Sequence, residues 1–389
     1  MAEPQSWVRV GSSTATDTTT ALKEAQAQLN LPEAPKLLVV MAAPRYDLQE
    51  IAAGLQPNLA DCPRIGCSSS GEIGPSGALT RALVLWTLGG PGIRVSTGWG
   101  ETDDSMGLRL AASRAAQCLQ RLERRAHTVL MLLSDGLRGD QMEVVRGAYD
   151  VAHVDVPLVG GCAGDYLAMR RTRQLHGSRV MSGAVVAAAI SSDRPLGVGV
   201  SHGWTPMSGP MLVTGSKATR LSSLDDRAAL DVYLDFFQPP PPVRTDLQAF
   251  ADFAATHPIG IRRRDKIEMR HVTGFDAERG ELITVAEVPQ GALAFLTEGN
   301  LDSVLEAASH SCRSAIEALG GAPAAGLLLF DCVARRSLLE AGRMQEEAEL
   351  VRRCSGGAPM GGFYTYGEIG RTKGAGGFHN QTLVTLAIG

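Results

Sequence analysis

Three glycine-bearing loops, each closed by an acid, gather the residues of this chain best suited to chemistry. They read Gly66-Cys67-Ser68-Ser69-Ser70-Gly71-Glu72, Gly160-Gly161-Cys162-Ala163-Gly164-Asp165 and Gly362-Phe363-Tyr364-Thr365-Tyr366-Gly367-Glu368, each led in by a proline and apolar residues. Glycine lets the backbone approach a ligand or take positive φ, and successive N–H groups form an anion-binding concavity. A ligand carboxylate suits such amides, and Glu72, Asp165 or Glu368 could receive an ammonium group, which together describe an amino-acid site. The same acids equally suit capping their own loop or a helix N-terminus.

Tyr364 and Tyr366 share a face if their segment is a strand, with Thr365 opposite. Paired hydroxylated rings suit a small-molecule pocket or a core alike. Cys67, Cys162 and Cys332 stand where α/β enzymes place nucleophiles. A thiol-dependent hydrolase or transferase, with Cys67 or Cys162 as nucleophile, would also need a base and an oxyanion donor. The candidate bases His202, His257 and His379 lie at no spacing that compels pairing, and a buried cysteine also serves as a small hydrophobe. Arg335 and Arg336 follow Asp331-Cys332 and have that aspartate, a ligand carboxylate or solvent to face. His379 follows Glu368 and either approaches it or bonds a carbonyl at a strand start. The ligand-binding candidates are therefore Gly66, Cys67, Ser68, Glu72, Gly161, Cys162, Asp165, Cys332, Arg335, Tyr364, Thr365, Tyr366, Glu368 and His379.

Other chemistries lack their patterns. There is no phosphate-cradling Gly-x-x-x-x-Gly-Lys loop, and Gly197-Val198-Gly199 has the wrong continuation for a dinucleotide fingerprint. The Gly-x-Ser-x-Gly elbow is absent, since Gly66-Cys67-Ser68-Ser69-Ser70 lacks the closing glycine. The 7 cysteines contain no Cys-x-x-Cys pair, so neither a zinc site nor a disulfide framework is expected. No cofactor is predicted from these residues.

The elements that must position the loops form a repeat. Apolar runs of strand length, Leu37–Met41, Val129–Leu133 and Leu327–Phe330, precede the loops, and the runs 82–86, 184–189 and 383–387 follow them. Helical patterns at Thr19–Leu29, Leu108–Leu122 and Leu301–Leu319 come before, and shorter amphipathic stretches lie between. The unit is helix, strand, helix, strand, loop, strand, present in three divergent copies whose kinship is marked by Gly-Glu-Ile-Gly at both 71–74 and 367–370. The expected fold is α/β, with two domains of mixed sheets covered by helices. Residues 1–18 are read as a tail, 19–225 as a domain with two copies, and 226–389 as a domain with the third. Between the second and third copies, a strand around Gly197–Trp204, a helix over Asp225–Phe237 and an extended tetraproline Pro239–Pro242 are predicted.

At 389 residues with 44% hydrophobic and 20% charged content, the chain has the composition of a globular protein, and a net charge of −4 gives no reason to expect nucleic acid or an anionic membrane as partner. No run approaches the length of a membrane span. The N-terminus lacks the features of a signal peptide, so a cytoplasmic location is expected.

The loops together with Leu133-Ser134-Asp135-Gly136-Leu137, His257-Pro258-Ile259-Gly260, Phe330-Asp331-Cys332-Val333-Ala334-Arg335 and Phe378-His379-Asn380-Gln381-Thr382 resemble the FIST family of bacterial signal-transduction proteins, with N and C domains in tandem over residues 20 to 389. The resemblance implies an intracellular sensory module that binds a small metabolite such as an amino acid at glycine loops between the two domains. It also implies haem in a gas-sensing alternative, for which the 8 histidines offer no marked axial ligand. Because no further segment follows the strand at Leu383–Ile388, the output step is expected to fall to a separate signalling protein. Oligomeric state is left open.

Overall fold

A computed structural model describes residues 6–102, 107–263, 266–372 and 376–389. They form an α/β protein of several mixed sheets with helices. Two compact units are present. The first comprises residues up to Ser201, Ala308–Phe378 and Leu383–Gly389, and the second His202–Ala307 with His379–Thr382.

All three copies of the repeat lie in the first unit, except residues 301–307 and 379–382 of the third, and each begins one element earlier than the sequence pattern suggested. A strand (Trp7–Ser13, Ile93–Glu101 or Leu196–Ser201) precedes the helix Thr18–Ala27, Leu108–Ala116 or Leu301–Glu317. Two parallel strands joined by a helix follow: Leu37–Ala42 and Arg64–Ser68, His127–Asp135 and Leu158–Ala163, Gly326–Cys332 and Met360–Thr365. The loop, a short strand pair and the closing strand Leu83–Gly89, Ala184–Ser192 or Leu383–Ile388 complete each copy.

One expectation changes accordingly. Residues 7–13, read as part of a tail, pair along their full length with Leu83–Gly89, while residues 1–5 lie outside the described residues. The two compact units are discontinuous in sequence. About a hundred residues are inserted between the first strand and first helix of the third copy, so its parts are distant in sequence. The strands Trp7–Ser13 and Ile93–Glu101 escaped notice, and the third, expected around Gly197–Trp204, was not assigned to its copy, because these strands carry glycine instead of a run of apolar side chains. Those glycines have a reason: a Cβ at Gly11, Gly98 or Gly199 would lie 2.0, 2.3 or 1.8 Å from the carbonyl oxygen of Ala25, Ala115 or Ser311 in the helix that follows. Only a bare backbone admits so close an approach.

Each copy builds four strands of a six-stranded sheet, in the order first, last, second, third. The remaining two positions are filled from another copy. The pair Gln174–His176/Arg179–Met181 of the second copy completes the sheet of the first, where Gln174 stands opposite Cys67. Glu72–Gly74/Gly77–Leu79 of the first completes the third, with Phe363 opposite Glu72, and Glu368–Arg371 of the third joins the second, with Gly161 opposite Glu368. The exchange is therefore a closed cycle.

Alternation along the buried strands serves two cores. Val39 and Met41 join Ile65, Met131, Leu133, Phe330 and Phe363 in one cluster drawn from all three sheets, while Leu38 and Val40 face outward to Leu22, Ile51 and Leu59 on the helices of their own copy. Trp86, wholly buried, donates its indole N–H to the carbonyl of Leu327 at 2.9 Å and so ties the first copy to the third.

The second unit is a nine-stranded sheet with the helices Ala229–Phe237 and Leu247–Ala254, whose core includes Tyr233, Phe250, Ile259 and Leu296. The helix expected from Asp225 starts at Ala229 because Asp225 and Asp226 take positive φ, +47° and +63°. The prolines are not extended throughout: Pro241–Arg244 is a short 3-10 helix, which proline can open because its fixed φ suits a first turn.

Gly199→Ala should lower stability in urea unfolding by about 3 kcal/mol or more, since the helix must leave the sheet. Gly342→Ala, in the helix Val333–Cys354 with nothing within 4 Å of the added Cβ, should raise it by about 0.5–1 kcal/mol. Equal stability of Gly199→Ala and wild type would contradict the close strand–helix contact.

Candidate functional site

The three loops are the crossings at which the chain leaves its own sheet for the next. Gly71, at φ +132°, makes the turn in the first copy; a Cβ there would sit 2.2 Å from Arg336 Nη1. The amide of Ser70 donates to the carbonyl of Tyr364 at 2.9 Å, and the amide of Tyr364 to that of Gly71 at 2.8 Å. Cys162 N–H donates likewise to Gly367, and Gly164 N–H to Ser68. Loop amides are thus spent on neighbouring copies.

The closing acids are also engaged. Glu72 is wholly buried and accepts from Ser69 Oγ, from the Ala82 amide at 2.7 Å and from Tyr166 Oη at 2.9 Å. Burial pushes its carboxyl up to about 7, against those hydrogen bonds and the nearby Arg336 charge, which pull it down. Glu368, equally buried, accepts from Thr365 Oγ1 at 2.5 Å, so a hydroxyl three residues before the acid recurs in two copies. In the second copy Cys162 holds that place, and Asp165 instead accepts the amides of Met169, Arg170 and Arg171 at 3.0, 2.7 and 2.9 Å and the hydroxyl of Tyr366. Burial opposes ionisation of Asp165, but these bonds outweigh it and hold the carboxyl below the usual range. Asp165 is therefore the cap of its own loop.

Tyr364 and Tyr366 do not present one surface. Their strand ends at Thr365. Tyr364 is buried, its ring 5.1 Å from the guanidinium of Arg336, which also lies 5.2 Å from the ring of Tyr166 and bonds Ser70 O and Thr80 Oγ1 at 2.5 and 2.8 Å. Tyr366 is half-buried and accepts from the Leu167 amide at 2.7 Å.

Gly66, Ser68 and Gly161 are buried backbone and side-chain packing positions; Ser68 Oγ accepts from the Arg173 amide at 3.0 Å. Cys67 and Cys162 are wholly buried, and burial raises both thiols, Cys162 to about 12 and Cys67 well above its ordinary value. Around Cys162 stand Ser134 Oγ and Gln141 Oε1, each at 3.3 Å. His202, His257 and His379, the expected bases, belong to the second unit, whereas both thiols belong to the first. At Cys162 only the Ser134 hydroxyl pulls the other way and burial outweighs it, while nothing pulls the Cys67 thiol down, so thiolate chemistry is unsupported at either.

One cluster remains with chemistry to spare. Arg335, wholly buried, donates Nε to Asp331 Oδ1 at 2.7 Å and Nη2 to Glu347. Burial, together with the Asp331 charge, raises the Glu347 carboxyl well above its usual value. Asp331 Oδ2 is buried and, among the described residues, has no donor unless Glu347 is protonated, and Asp331, Glu347, Tyr364 and Met344 line a cavity of about 10 Å³, room for one water-sized group. Strand register shows the cluster to be particular to this copy. Asp331 stands opposite Tyr364, while the matching places in the other two copies are Ala42 opposite Ser68 and Leu133 opposite Gly161. Arg335 and Arg336 were legible as possible partners of Asp331 or of a ligand carboxylate, whereas Glu347 and Tyr166 were not, because nothing in their spacing links them to the loops. The matched Ser69 and Thr365 were visible in the aligned loops.

A larger cavity of about 410 Å³ lies between the helices Thr18–Ala27 and Leu48–Ala53, bordered by Leu22, Lys23, Gln26 and Glu50. Neither cavity fits a haem, since the larger has no His, Cys, Met or Tyr on its lining and the smaller has no room.

A protein built of three strand-exchanging α/β copies, with buried ionisable clusters at the crossings, is defined by this fold and site. The chain belongs to the FIST family: residues 36–227 match the FIST N domain and residues 229–371 the FIST C domain. FIST domains are associated with sensing in signal transduction. Two similar proteins of Mycobacterium tuberculosis, uncharacterized protein MT0656 of strain CDC 1551 and uncharacterized protein Rv0628c of strain H37Rv, are each 24% identical over 96% of this chain and 97% of their own length. Among solved structures, one titled PurLQS from Thermotoga maritima is 9% identical with a TM-score of 0.24, covering 99% of this chain and 73% of that chain. No described helix is long and apolar enough to cross a membrane.

Two outcomes follow. Iodoacetamide should label Cys67 and Cys162 far more slowly in the folded protein than in urea, as followed by peptide mass spectrometry; fast native labelling of either would contradict their burial. Glu72 binds its proton more tightly folded, at about 7, than at its ordinary 4.5, so its contribution is most favourable below pH 4.5 and is lost as pH rises through 7. The stability difference between wild type and Glu72→Gln should drift by about 3 kcal/mol across that window, whereas a pH-independent difference would contradict the raised carboxyl.

Proposed function

We propose that this protein is a sensory component of signal transduction that binds a small metabolite carrying an amino group, an amino acid being one such, with only the ammonium group entering the water-sized Asp331–Glu347–Tyr364 cavity. Family membership supports the sensory part. The observation that carries the location is the buried Asp331 Oδ2, which among the described residues only a proton on Glu347 would satisfy, on a residue that lines a cavity at a place where the sister copies hold Ala42 and Leu133. A buried charge costs several kcal/mol unless fully satisfied, and two copies fold the same strands without one, so folding alone does not require it.

The chemistry is a proton exchange for a ligand. Without ligand, a protonated Glu347 supplies the hydrogen that Asp331 Oδ2 lacks, and the group Asp331, Arg335, Glu347 is neutral. A ligand ammonium donating to Asp331 Oδ2 would take that place and let Glu347 ionise, with Arg335 holding both carboxylates. The glycine loops do not serve as the receptor in this reading, because Glu72 and Asp165 already carry their donors and all three loops belong to one compact unit.

Thermal-shift screening with amino acids and small amines, with calorimetry on hits, is the test. A ligand at a hundredfold excess over its Kd stabilises by about 2.7 kcal/mol, or about 4 °C in Tm for a unit of this size. Asp331→Asn and the milder Tyr364→Phe should abolish or reduce the shift while remaining folded. An amine that shifts wild type and Asp331→Asn equally, or no shift with any amine, would overturn the assignment.

A further inference from the structure

The segment Tyr166–Arg171, which follows the second glycine loop, combines three features that folding does not ask for. Tyr166, Leu167 and Met169 all take positive φ, at +59°, +62° and +52°. None is glycine, and residues with side chains are uncommon in that region and stay there only where their surroundings hold them. The conformation is enforced by named bonds: the Tyr166 amide to Ser70 Oγ at 3.1 Å, the Leu167 amide to Tyr366 Oη at 2.7 Å, and the Met169, Arg170 and Arg171 amides to the Asp165 carboxylate.

The side chains so displayed are apolar and basic. Leu167 is 54% and Met169 63% exposed, among the most exposed large apolar residues of the chain. Arg170 and Arg171 beside them are exposed and carry no ion pair among the described residues. Arg81, whose amide bonds Tyr166 Oη, is exposed too, and Arg138 reaches the Ser182–Gly183 turn, where Arg171 Nε meets Ser182 Oγ at 3.4 Å. Among the described acids nearby, Asp135, Asp165 and Glu72 are buried with their carboxylates taken by amides and hydroxyls, and the more exposed Glu101 is paired with Arg179. On a chain of net charge −4, this is a local basic patch around an apolar tip.

We infer that Tyr166–Arg171 is a docking arm for a partner protein whose contact segment is acidic and apolar. Methionine and arginine are the residue types enriched at protein interfaces, and unpaired arginines around a small apolar tip select for carboxylates at the rim. The inference rests on the sensory reading in so far as it names an output surface. The arm is bonded to Glu72, Ser70 and Tyr366, so a rearrangement at the loop crossings would reach it directly.

The test is fluorescence anisotropy of the full chain with a fluorescein-labelled peptide of interspersed glutamate and leucine, with no small molecule added. The peptide should bind, more weakly at higher salt. Leu167→Ser with Met169→Ser, and Arg170→Ala with Arg171→Ala, should each weaken it about tenfold, a loss of about 1.4 kcal/mol, with Tm unchanged. A peptide with lysine in place of glutamate should not bind. Equal binding by the variants, no binding by wild type, or stronger binding through the same residues to phosphatidylserine vesicles would overturn the proposal. Asp331→Asn should bind the peptide as wild type does, so failure of the arm and failure of the ligand cavity are read separately.

Discussion

No copy of the repeat can complete its sheet alone. Each ends its own parallel pair at a glycine crossing and sends the following short strands to another copy, from first to third, third to second, and second to first. An uncovered strand edge exposes unpaired amides and carbonyls, so removing one donated pair would expose an edge on a different copy. The shared core, in which Val39, Met131, Phe330 and Phe363 meet, has the same property. Packing and hydrogen bonding both make the three copies one cooperative body.

That constraint accounts for the loops. Gly71 turns the chain where a side chain would strike Arg336, and Glu72 and Glu368 are fastened by a hydroxyl three residues earlier. Their acids read in sequence as ligand receptors because Gly-Glu-Ile-Gly is also what a sharp, sealed crossing needs. The group that crossing does not need is Asp331 with Arg335 and Glu347, and the separation of the two kinds of buried charge comes only from comparing copies within the chain.

Much of this was legible beforehand. The runs Leu37–Met41, Val129–Leu133 and Leu327–Phe330 fixed the central strands because strands covered on both faces must be continuously apolar. The first strands of the first two copies were missed, and that of the third, expected around Gly197–Trp204, was left outside its copy, because Gly11, Gly98 and Gly199 trade apolar side chains for close helix contact, so the strands lack hydrophobic periodicity. Their partners lie far off in sequence, and in the third copy an insertion parts strand from helix. The strand exchange left no local mark at all, since a donated pair looks like any hairpin after a loop. In the cluster, Asp331 and Arg335 were visible as an i,i+4 pair, but Glu347 is brought in by the packing of the long helix Val333–Cys354 and so needed the fold.

Native-state hydrogen exchange addresses the cyclic exchange most directly. Amides of the donated strands Glu72–Gly74, Gln174–His176 and Glu368–Arg371 should share the slowest-exchanging class with the central strands Leu37–Ala42, His127–Asp135 and Gly326–Cys332, and all should open together. Donated strands that exchange well before the sheets they join, or one copy opening while the other two stay protected, would contradict a single cooperative body closed by strand exchange.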